Sequence, residues 1–251
     1  MRTGFRFILL VSTLPALILA QVRTENGSDP TEIRTRLDMQ LLRLTGWGSS
    51  DFLGTTVSGE YAFTRRFSAG LDLPLVYANV SGVAETGIGD IRIKTAFNFI
   101  YENEPDGFFE ALSGGINLYL NTGDAERGTG IGQSFLAPFL ALSYALAEEL
   151  RFAPVVRQYF TLSKKPADAD VKEIHLQIES IAMFSEMIWI KVMPEAVIDF
   201  TGYRIPTYNL HSGLGKMFDS NWGLLAEFST NLAGNPRVDY TSNLTLQYLF
   251  E

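Results

Sequence analysis

Apolar and polar residues alternate along almost the whole stretch from Glu32 to Phe250, and this pattern restricts the possible folds more than any other feature. Turn residues divide the stretch into twelve segments of about ten to fourteen residues. The connections between the segments are alternately short and long. Because successive side chains of a β-strand point to opposite faces, each segment predicts a strand with one apolar and one polar face. The two alternations together indicate a closed antiparallel transmembrane β-barrel.

The last segment shows the alternation most clearly. One face carries Val238, Tyr240, Leu244, Leu246, Tyr248 and Phe250, and the other carries Asp239, Thr241, Asn243, Thr245 and Gln247. In a soluble sandwich the apolar face would point to a core, whereas in a membrane barrel it points to lipid. One strand fits both folds, but twelve strands with regular connections favour the barrel.

The turn residues predict where each strand begins and ends. We place strands near 32–45, 55–64, 67–78, 89–101, 108–120, 133–146, 149–162, 171–183, 187–199, 206–217, 221–231 and 238–250. Short turns are expected at 65–66, 102–107, 147–148, 184–186 and 218–220, and longer loops at 46–54, 79–88, 121–132, 163–170, 200–205 and 232–237. If both chain ends lie in the periplasm, the short turns are periplasmic and the longer loops are extracellular, which is usual for such barrels.

The first twenty residues have the features of a secretory signal peptide. Two arginines, Arg2 and Arg6, precede an apolar run, Phe7–Ala20, that is too short to span a bilayer as a helix. We expect cleavage after Ala20, with 1–20 as signal peptide, 21–31 as a flexible lead-in and 32–251 as the outer-membrane barrel. A retained anchor helix is the alternative. The chain has no cysteine, which argues against disulfides, thiolate metal sites and an N-terminal lipid anchor.

The overall charge is acidic, with a formal net charge of −8. This argues against nucleic acid as a partner, because nucleic acid is bound by basic surfaces. No other apolar run reaches the length of a transmembrane helix. The expected location is therefore the outer membrane of a Gram-negative-type cell. The expected partners are outer-membrane lipid, small-molecule solutes and the barrel assembly machinery, and no cofactor is expected.

The alternation assigns individual side chains to lipid or to the lumen. On the fourth strand, Ile91, Ile93, Phe97 and Phe99 are expected to face lipid, whereas Arg92 and Lys94 face the lumen. Aromatic residues near the short turns predict an aromatic girdle: Tyr101, Phe152, Trp222, Tyr248 and Phe250. Prolines within the strands each remove a ladder donor and predict bulges: Pro74, Pro138, Pro154 and Pro194.

Two glycine motifs carry a family resemblance. Thr86-Gly87-Ile88-Gly89-Asp90 leads into the fourth strand, and Asn121-Thr122-Gly123-Asp124 opens a loop that also contains Gly128, Gly130 and Gly132. In these motifs the chain resembles the outer-membrane family labelled MetA-pathway of phenol degradation. The resemblance implies an outer-membrane barrel that passes hydrophobic or aromatic small molecules. The residues themselves leave two readings open, which are turn chemistry and a ligand role, and turn chemistry is the simpler.

The predicted lumen contains both histidines of the chain in one row with glutamates. In an antiparallel pair the numbers of facing residues have a constant sum, and the expected turns give sums of about 370, 406 and 438 for three successive pairs. These sums place His175 opposite Glu195, Glu195 opposite His211, and His211 opposite Glu227. They also place Glu179 opposite Lys191. Further lumenal charges are expected at Arg92, Lys94, Arg157 and Lys191.

Three interpretations of the row are open. It is a polar network that braces the wall, a constriction that responds to pH because histidine titrates near neutrality, or a site for catalysis or metal binding. Outer-membrane lipid hydrolases place a serine two residues after the catalytic histidine, but here Gly213 occupies that position and Ser212 should face lipid. An enzyme is therefore not expected. The sequence predicts a channel or transporter for small molecules, with a non-conducting structural or interaction barrel as the alternative and a lumenal hydrolase as a weaker one.

Overall fold

The computed structural model describes residues 29–46, 51–80, 83–102, 108–164, 170–185, 187–201, 206–234 and 238–250. Among these residues no helix is long and apolar enough to cross a membrane. They form thirteen β-segments: β1 (Arg36–Gly46), β2 (Asp51–Thr64), β3 (Phe67–Val80), β4 (Val83–Ile88), β5 (Arg92–Tyr101), β6 (Phe109–Tyr119), β7 (Gln133–Ala147), β8 (Leu150–Lys164), β9 (Lys172–Ser185), β10 (Ile188–Asp199), β11 (Thr207–Met217), β12 (Trp222–Ala233) and β13 (Val238–Leu249).

The segments close into one antiparallel barrel. β1 pairs with both β13 and β2, and β2 pairs with β3, so the sheet has no free edge at this seam. β4 and β5 pair with successive parts of β3 and therefore share one position in the ring. The thirteen segments thus fill twelve strand positions, which confirms the predicted twelve-stranded barrel.

The strand that consists of β4 and β5 is interrupted opposite Pro74. Gly89 N donates to Pro74 O at 2.9 Å, and the register with β3 shifts by one residue across the break. The predicted bulge at Pro74 is therefore present. The prediction that 79–88 is a loop is wrong, because its glycine and threonine residues continue the β3–β4 hairpin instead of ending it.

The other strand prolines lie in regular ladders. The register of β8 with β9 is constant across Pro154, and that of β10 with β11 is constant across Pro194. Pro138 likewise pairs with Ile116 without a shift. The predicted bulges at these three positions are therefore wrong. Most shifts in the barrel lie near strand ends instead, for example at Thr45/Gly46 and Ala145/Ala147.

One end of the barrel has short connections and is called here the short-turn end. It includes the turns at 65–66 and 148–149 and the start of β1. The opposite, long-loop end includes the loop at 120–132. β9 continues to Ser185, so the predicted turn at 184–186 lies one to two residues later than expected.

The outer surface is apolar, as the alternation predicts. Leu37 and Met39 on β1 are 47% and 55% exposed. Arg36, which precedes Leu37, and Asp38, which lies between the two, point inward. Ile93, Phe97 and Phe99 are also exposed, whereas Ile91 lies in the break before β5 and is only half-buried. Exposed aromatic side chains surround the short-turn end: Phe63, Phe67, Phe99, Phe108, Phe184, Phe218, Trp222 and Phe250.

The chain enters the barrel at the short-turn end. The predicted signal peptide, 1–20, and most of the predicted lead-in, 21–31, lie outside the described residues. Asp29–Thr35 precede β1, and Thr31 is buried. Thr35 O accepts a hydrogen bond from Phe250 N at 3.0 Å, which continues the ladder between β1 and β13 by one residue.

Candidate functional site in the barrel lumen

A charged cluster lines the lumen on β2, β3 and β5. Its centre is the buried carboxylate of Asp72, which forms ion pairs with Arg92 and with Lys94, the latter at 2.8 Å from Nζ to Oδ1. Ser58 Oγ donates to the same Asp72 oxygen at 2.5 Å, and Lys94 Nζ donates to Ser58 Oγ at 2.8 Å. One carboxylate is thus held by two permanent cations and a hydroxyl. We call this group the Asp72 cluster.

A second cluster lines the lumen on β9, β10 and β11, with Glu195 at its centre. Glu195 Oε1 lies 2.9 Å from His175 Nδ1, and Glu195 Oε2 lies 3.2 Å from His211 Nε2. Gln177 donates to Oε1 at 2.7 Å and Asn209 donates to Oε2 at 2.9 Å. The Glu195 side chain is 8% exposed. We call this group the Glu195 cluster.

The predicted register of the row is wrong by two residues at each of the three strand pairs. His175 pairs with Val197, Glu195 with Asn209, and His211 with Ser229. Glu195 nevertheless reaches both histidines, because diagonal neighbours in a ladder are within reach of long side chains. The alternation placed these residues on the inner face, where the structure also has them. The predicted pairing sums were wrong because they depend on the lengths of the turns, and those lengths were not predicted to the residue.

Glu227 lies apart from the two histidines in the ladder. It pairs with Gly213 rather than His211, and its carboxylate lies 2.5 Å from Lys191 Nζ. Asn243 also donates to it, at 2.9 Å. Lys191 pairs with Ile181 rather than with Glu179, although its Nζ still lies 3.8 Å from Glu179 Oε1. The predicted row is therefore divided into a His–Glu–His cluster and a separate Lys191–Glu227 ion pair.

Aromatic side chains form a second lumenal row that the sequence analysis missed. Tyr119 and Phe135 stack with ring centroids 4.2 Å apart and an interplanar angle of 18°. Tyr159 lies 5.8 Å from Phe135 and 4.6 Å from the imidazole of His175. These four residues lie on adjacent strands β6, β7, β8 and β9 and are called here the aromatic row. Their position in the alternation could have indicated the row, because each of these residues occupies a position of the polar face.

A predicted lumenal charge, Arg157, lies beside this row. Its guanidinium carbon is 5.6 Å from the centroid of Phe139, a cation–π distance. Within the described part of the chain, Arg157 Nε has no hydrogen-bond acceptor. Arg92 is similarly placed 5.6 Å from the Tyr119 ring. Two guanidinium groups therefore flank the aromatic row.

An apolar patch covers the inner wall near the short-turn end. It consists of Ile181, Trp189, Met217 and Leu249, all fully or almost fully buried. Trp189 lies flat against Gly215, where an added Cβ would be 2.0 Å from the indole ring. This patch was also missed, because apolar residues at inward positions interrupt the polar face that defined the strand phase.

The two glycine motifs lie against each other at the long-loop end. Asp90 accepts backbone hydrogen bonds from Gly123 N at 2.9 Å and from Ile131 N at 2.6 Å. Thr122 Oγ1 donates to Gly89 O at 2.8 Å. A Cβ at Gly130 would lie 2.8 Å from Asp90 Oδ1, so the close approach requires glycine. The motifs fasten the loop 120–132 to the break between β4 and β5.

The serine next to His211 lies outside the lumen. Ser212 is exposed on the outer face and donates to Phe228 O. In the described parts of the chain, no group of three or more histidine or acidic side chains is arranged to hold a metal ion. The geometry of the Glu195 cluster is that of a hydrogen-bonded hub whose acceptor atoms are already occupied.

Comparison with solved structures identifies the architecture. The COG4313 outer membrane channel from Pseudomonas putida F1 has a TM-score of 0.67 at 13% identity, over 88% of this chain and 98% of that chain. The NanC porin has a TM-score of 0.60 at 10% identity, over 86% and 99%. The KdgM porin has a TM-score of 0.58 at 15% identity, over 86% and 99%.

No family model matches the chain, and no curated protein matches it either. The resemblance to the MetA-pathway of phenol degradation family therefore stays a prediction. The identities are too low to transfer an activity, but the likeness covers almost the whole described barrel. The chain has the fold of outer-membrane β-barrel channels.

Proposed function

We propose that this protein is an outer-membrane channel that passes small molecules. The observation that carries the proposal is the distribution of side chains around a closed barrel. Apolar side chains cover the outside, and charged and aromatic side chains lie inside. A wall of this kind is stable in lipid while its interior can interact with a solute. The predicted signal peptide, 1–20, would supply export, and the short-turn end would then face the periplasm.

The solutes proposed for this channel contain an aromatic ring. The centroids of Tyr119, Phe135 and Tyr159 lie 4.2–6.3 Å from one another, and because aromatic rings prefer contacts at such distances, the ring of a solute can extend this row. Arg157 and Arg92 lie next to it and can contact a polar substituent of the solute. The side chains of the lumen thus favour the aromatic solutes that the family resemblance implies.

A non-conducting barrel is the second candidate. It is favoured by the dense packing of the lumen, because Trp189 and Ser143 are inaccessible to solvent although both point inward. A filled interior is a property of small barrels, and twelve strands lie between those and the wide porins. The two candidates differ in one measurable quantity, which is ion flow.

Conductance in planar lipid bilayers tests the proposal. Steady single-channel currents are expected from the purified protein, and liposomes that contain it should swell faster in aromatic solutes than in aliphatic solutes of equal size. Tyr159→Ala should reduce this preference, because it removes the centre of the aromatic row. The matched control is Phe97→Ala, which removes an outward ring. A barrel that is folded and inserted but carries no current and no solute would refute the channel.

A further inference from the structure

The residues before β1 cross the mouth of the barrel at the short-turn end. At one end, Thr35 is joined to the sheet, since Phe250 N donates to Thr35 O at 3.0 Å and Ala62 N donates to Thr35 Oγ1 at 3.1 Å. At the other end, Asp29 Oδ2 lies 2.9 Å from Ser143 Oγ on β7. We call Asp29–Thr35 the strap.

The strap reaches nearly the opposite wall. Counted from β1 through β2 and β3, β7 occupies the sixth of the twelve ring positions. Thr31, near the far end of the strap, is 3% exposed. The strap therefore lies inside the lumen and is not spread over the outer rim.

The two attachments differ in strength. The Thr35 end is part of the hydrogen-bonded sheet, whereas Asp29 contacts the wall through the side-chain hydroxyl of Ser143. Ser143 Oγ lies 2.9 Å from Asp29 Oδ2 and 3.0 Å from Glu110 Oε2. A hydroxyl has one proton to donate, so the two carboxylates compete for it. Arg151 Nε lies 3.4 Å from Glu110 Oε2 and partly balances the pair.

The far end is preorganised to move as a unit. Thr31 N and Thr31 Oγ1 both donate to Asp29 Oδ1, at 2.8 Å and 2.7 Å, and Glu32 N donates to Asp29 O at 3.1 Å. These contacts form a compact turn within the strap itself. Release from Ser143 would leave this turn intact. The strap is thus held to the sheet at Thr35 and to β7 through Asp29.

We infer that the strap is a gate of the channel: it closes the short-turn mouth when Asp29 is bound to Ser143 and opens it by swinging about Thr35. The inference rests on the proposed channel function and adds its regulation.

Cysteine labelling measures the movement without relying on current. In the cysteine-free chain, Thr31→Cys introduces one thiol on the strap, and its reaction with a maleimide reports exposure. We expect slow labelling that becomes about tenfold faster when Ser143→Ala is added, because one hydrogen bond to a charged group is lost. The control is Thr31→Cys with Ser68→Ala, since Ser68 is equally buried but donates to Glu60. Equal rates in all three proteins would overturn the gate.

A reversible crosslink tests closure directly. In the double variant Asp29→Cys with Ser143→Cys, a disulfide should lower the single-channel conductance strongly, and a reductant should restore it. A crosslink verified by mass spectrometry that leaves the current unchanged would overturn the gate and leave the channel standing. Absence of current in every variant, with labelling of Thr31→Cys still accelerated by Ser143→Ala, would overturn the channel and the gate together. Native mobility in unheated gels establishes that each variant is folded.

Discussion

The Asp72 cluster and the Glu195 cluster stabilise a buried carboxylate with different kinds of side chain. Each buries one carboxylate in the lumen wall and surrounds it with donors from neighbouring strands. Asp72 is matched by two side chains that are always charged, whereas Glu195 is matched by two imidazoles and two amides. The first cluster consists of permanent charges, whereas the second contains the side-chain type that ordinarily titrates near neutrality. The difference predicts that one side of the lumen is a permanent brace and the other is adjustable.

The largest difference should follow removal of the central carboxylates. Asp72→Ala leaves the charges of Arg92 and Lys94 close together without compensation, and we expect a loss of about 3–5 kcal/mol in the free energy of unfolding. Glu195→Ala should cost clearly less, because His175 keeps its contact with Glu173 and two of the other Glu195 donors, Gln177 and Asn209, are neutral amides. Denaturant unfolding in lipid vesicles, followed by tryptophan fluorescence, measures both. Equal losses would remove the distinction between the clusters.

The next test concerns the strand that carries two members of the Asp72 cluster. Ile93 points to lipid between Arg92 and Lys94, which point inward. Ile93→Arg should cost about 2–4 kcal/mol, as expected for arginine at the middle of the lipid face of a barrel. Lys94→Gln should be tolerated better, since Arg92 still pairs with Asp72. The yield of heat-modifiable, folded protein reports the result, and equal tolerance would mean that the inward assignment of this cluster is incorrect.

A smaller effect is expected near the Glu195 side, where Trp189 covers Gly215. Gly215→Ala places a methyl group 2.0 Å from the indole ring, so the ring or the strand must move. Overpacking of this kind costs about 1–3 kcal/mol. Gly59→Ala on β2 is the control, because no atom lies within 4 Å of its added Cβ. A Gly215→Ala protein as stable as Gly59→Ala would contradict the tight packing of the patch.

The smallest effect should be a dependence of ion selectivity on pH. Histidine is the side chain whose charge ordinarily changes between pH 5 and 8, and both histidines of the chain lie in the Glu195 cluster, whereas the Asp72 cluster contains none. Lower pH should therefore reduce the preference for cations, measured as a reversal potential in a salt gradient. The double variant His175→Gln with His211→Gln should lose this dependence. A pH response that survives in this variant would assign it to other groups.

The strand number and the inner and outer faces could be predicted because alternation with a period of two repeats over many residues. The register could not, since it depends on turn length, and an error of one residue at a hairpin tip changes the pairing sum by two. β4 was not predicted because Thr86 and Gly87 have the composition of a turn. The aromatic row and the Trp189 patch were not predicted, because an inward aromatic residue cannot be distinguished from an outward one by its residue type.

The difference of two residues between the predicted and the observed register leaves Glu195 next to both histidines. A slip of two residues between β9, β10 and β11 keeps every apolar side chain in lipid, so the hydrophobic pattern does not oppose it. In the predicted register His175 and His211 lie directly opposite Glu195, whereas in the structure Gln177 and Asn209 lie there and the histidines reach it diagonally. One glutamate thus collects donors from two successive inward positions on each neighbouring strand, and it joins three strands through a single side chain.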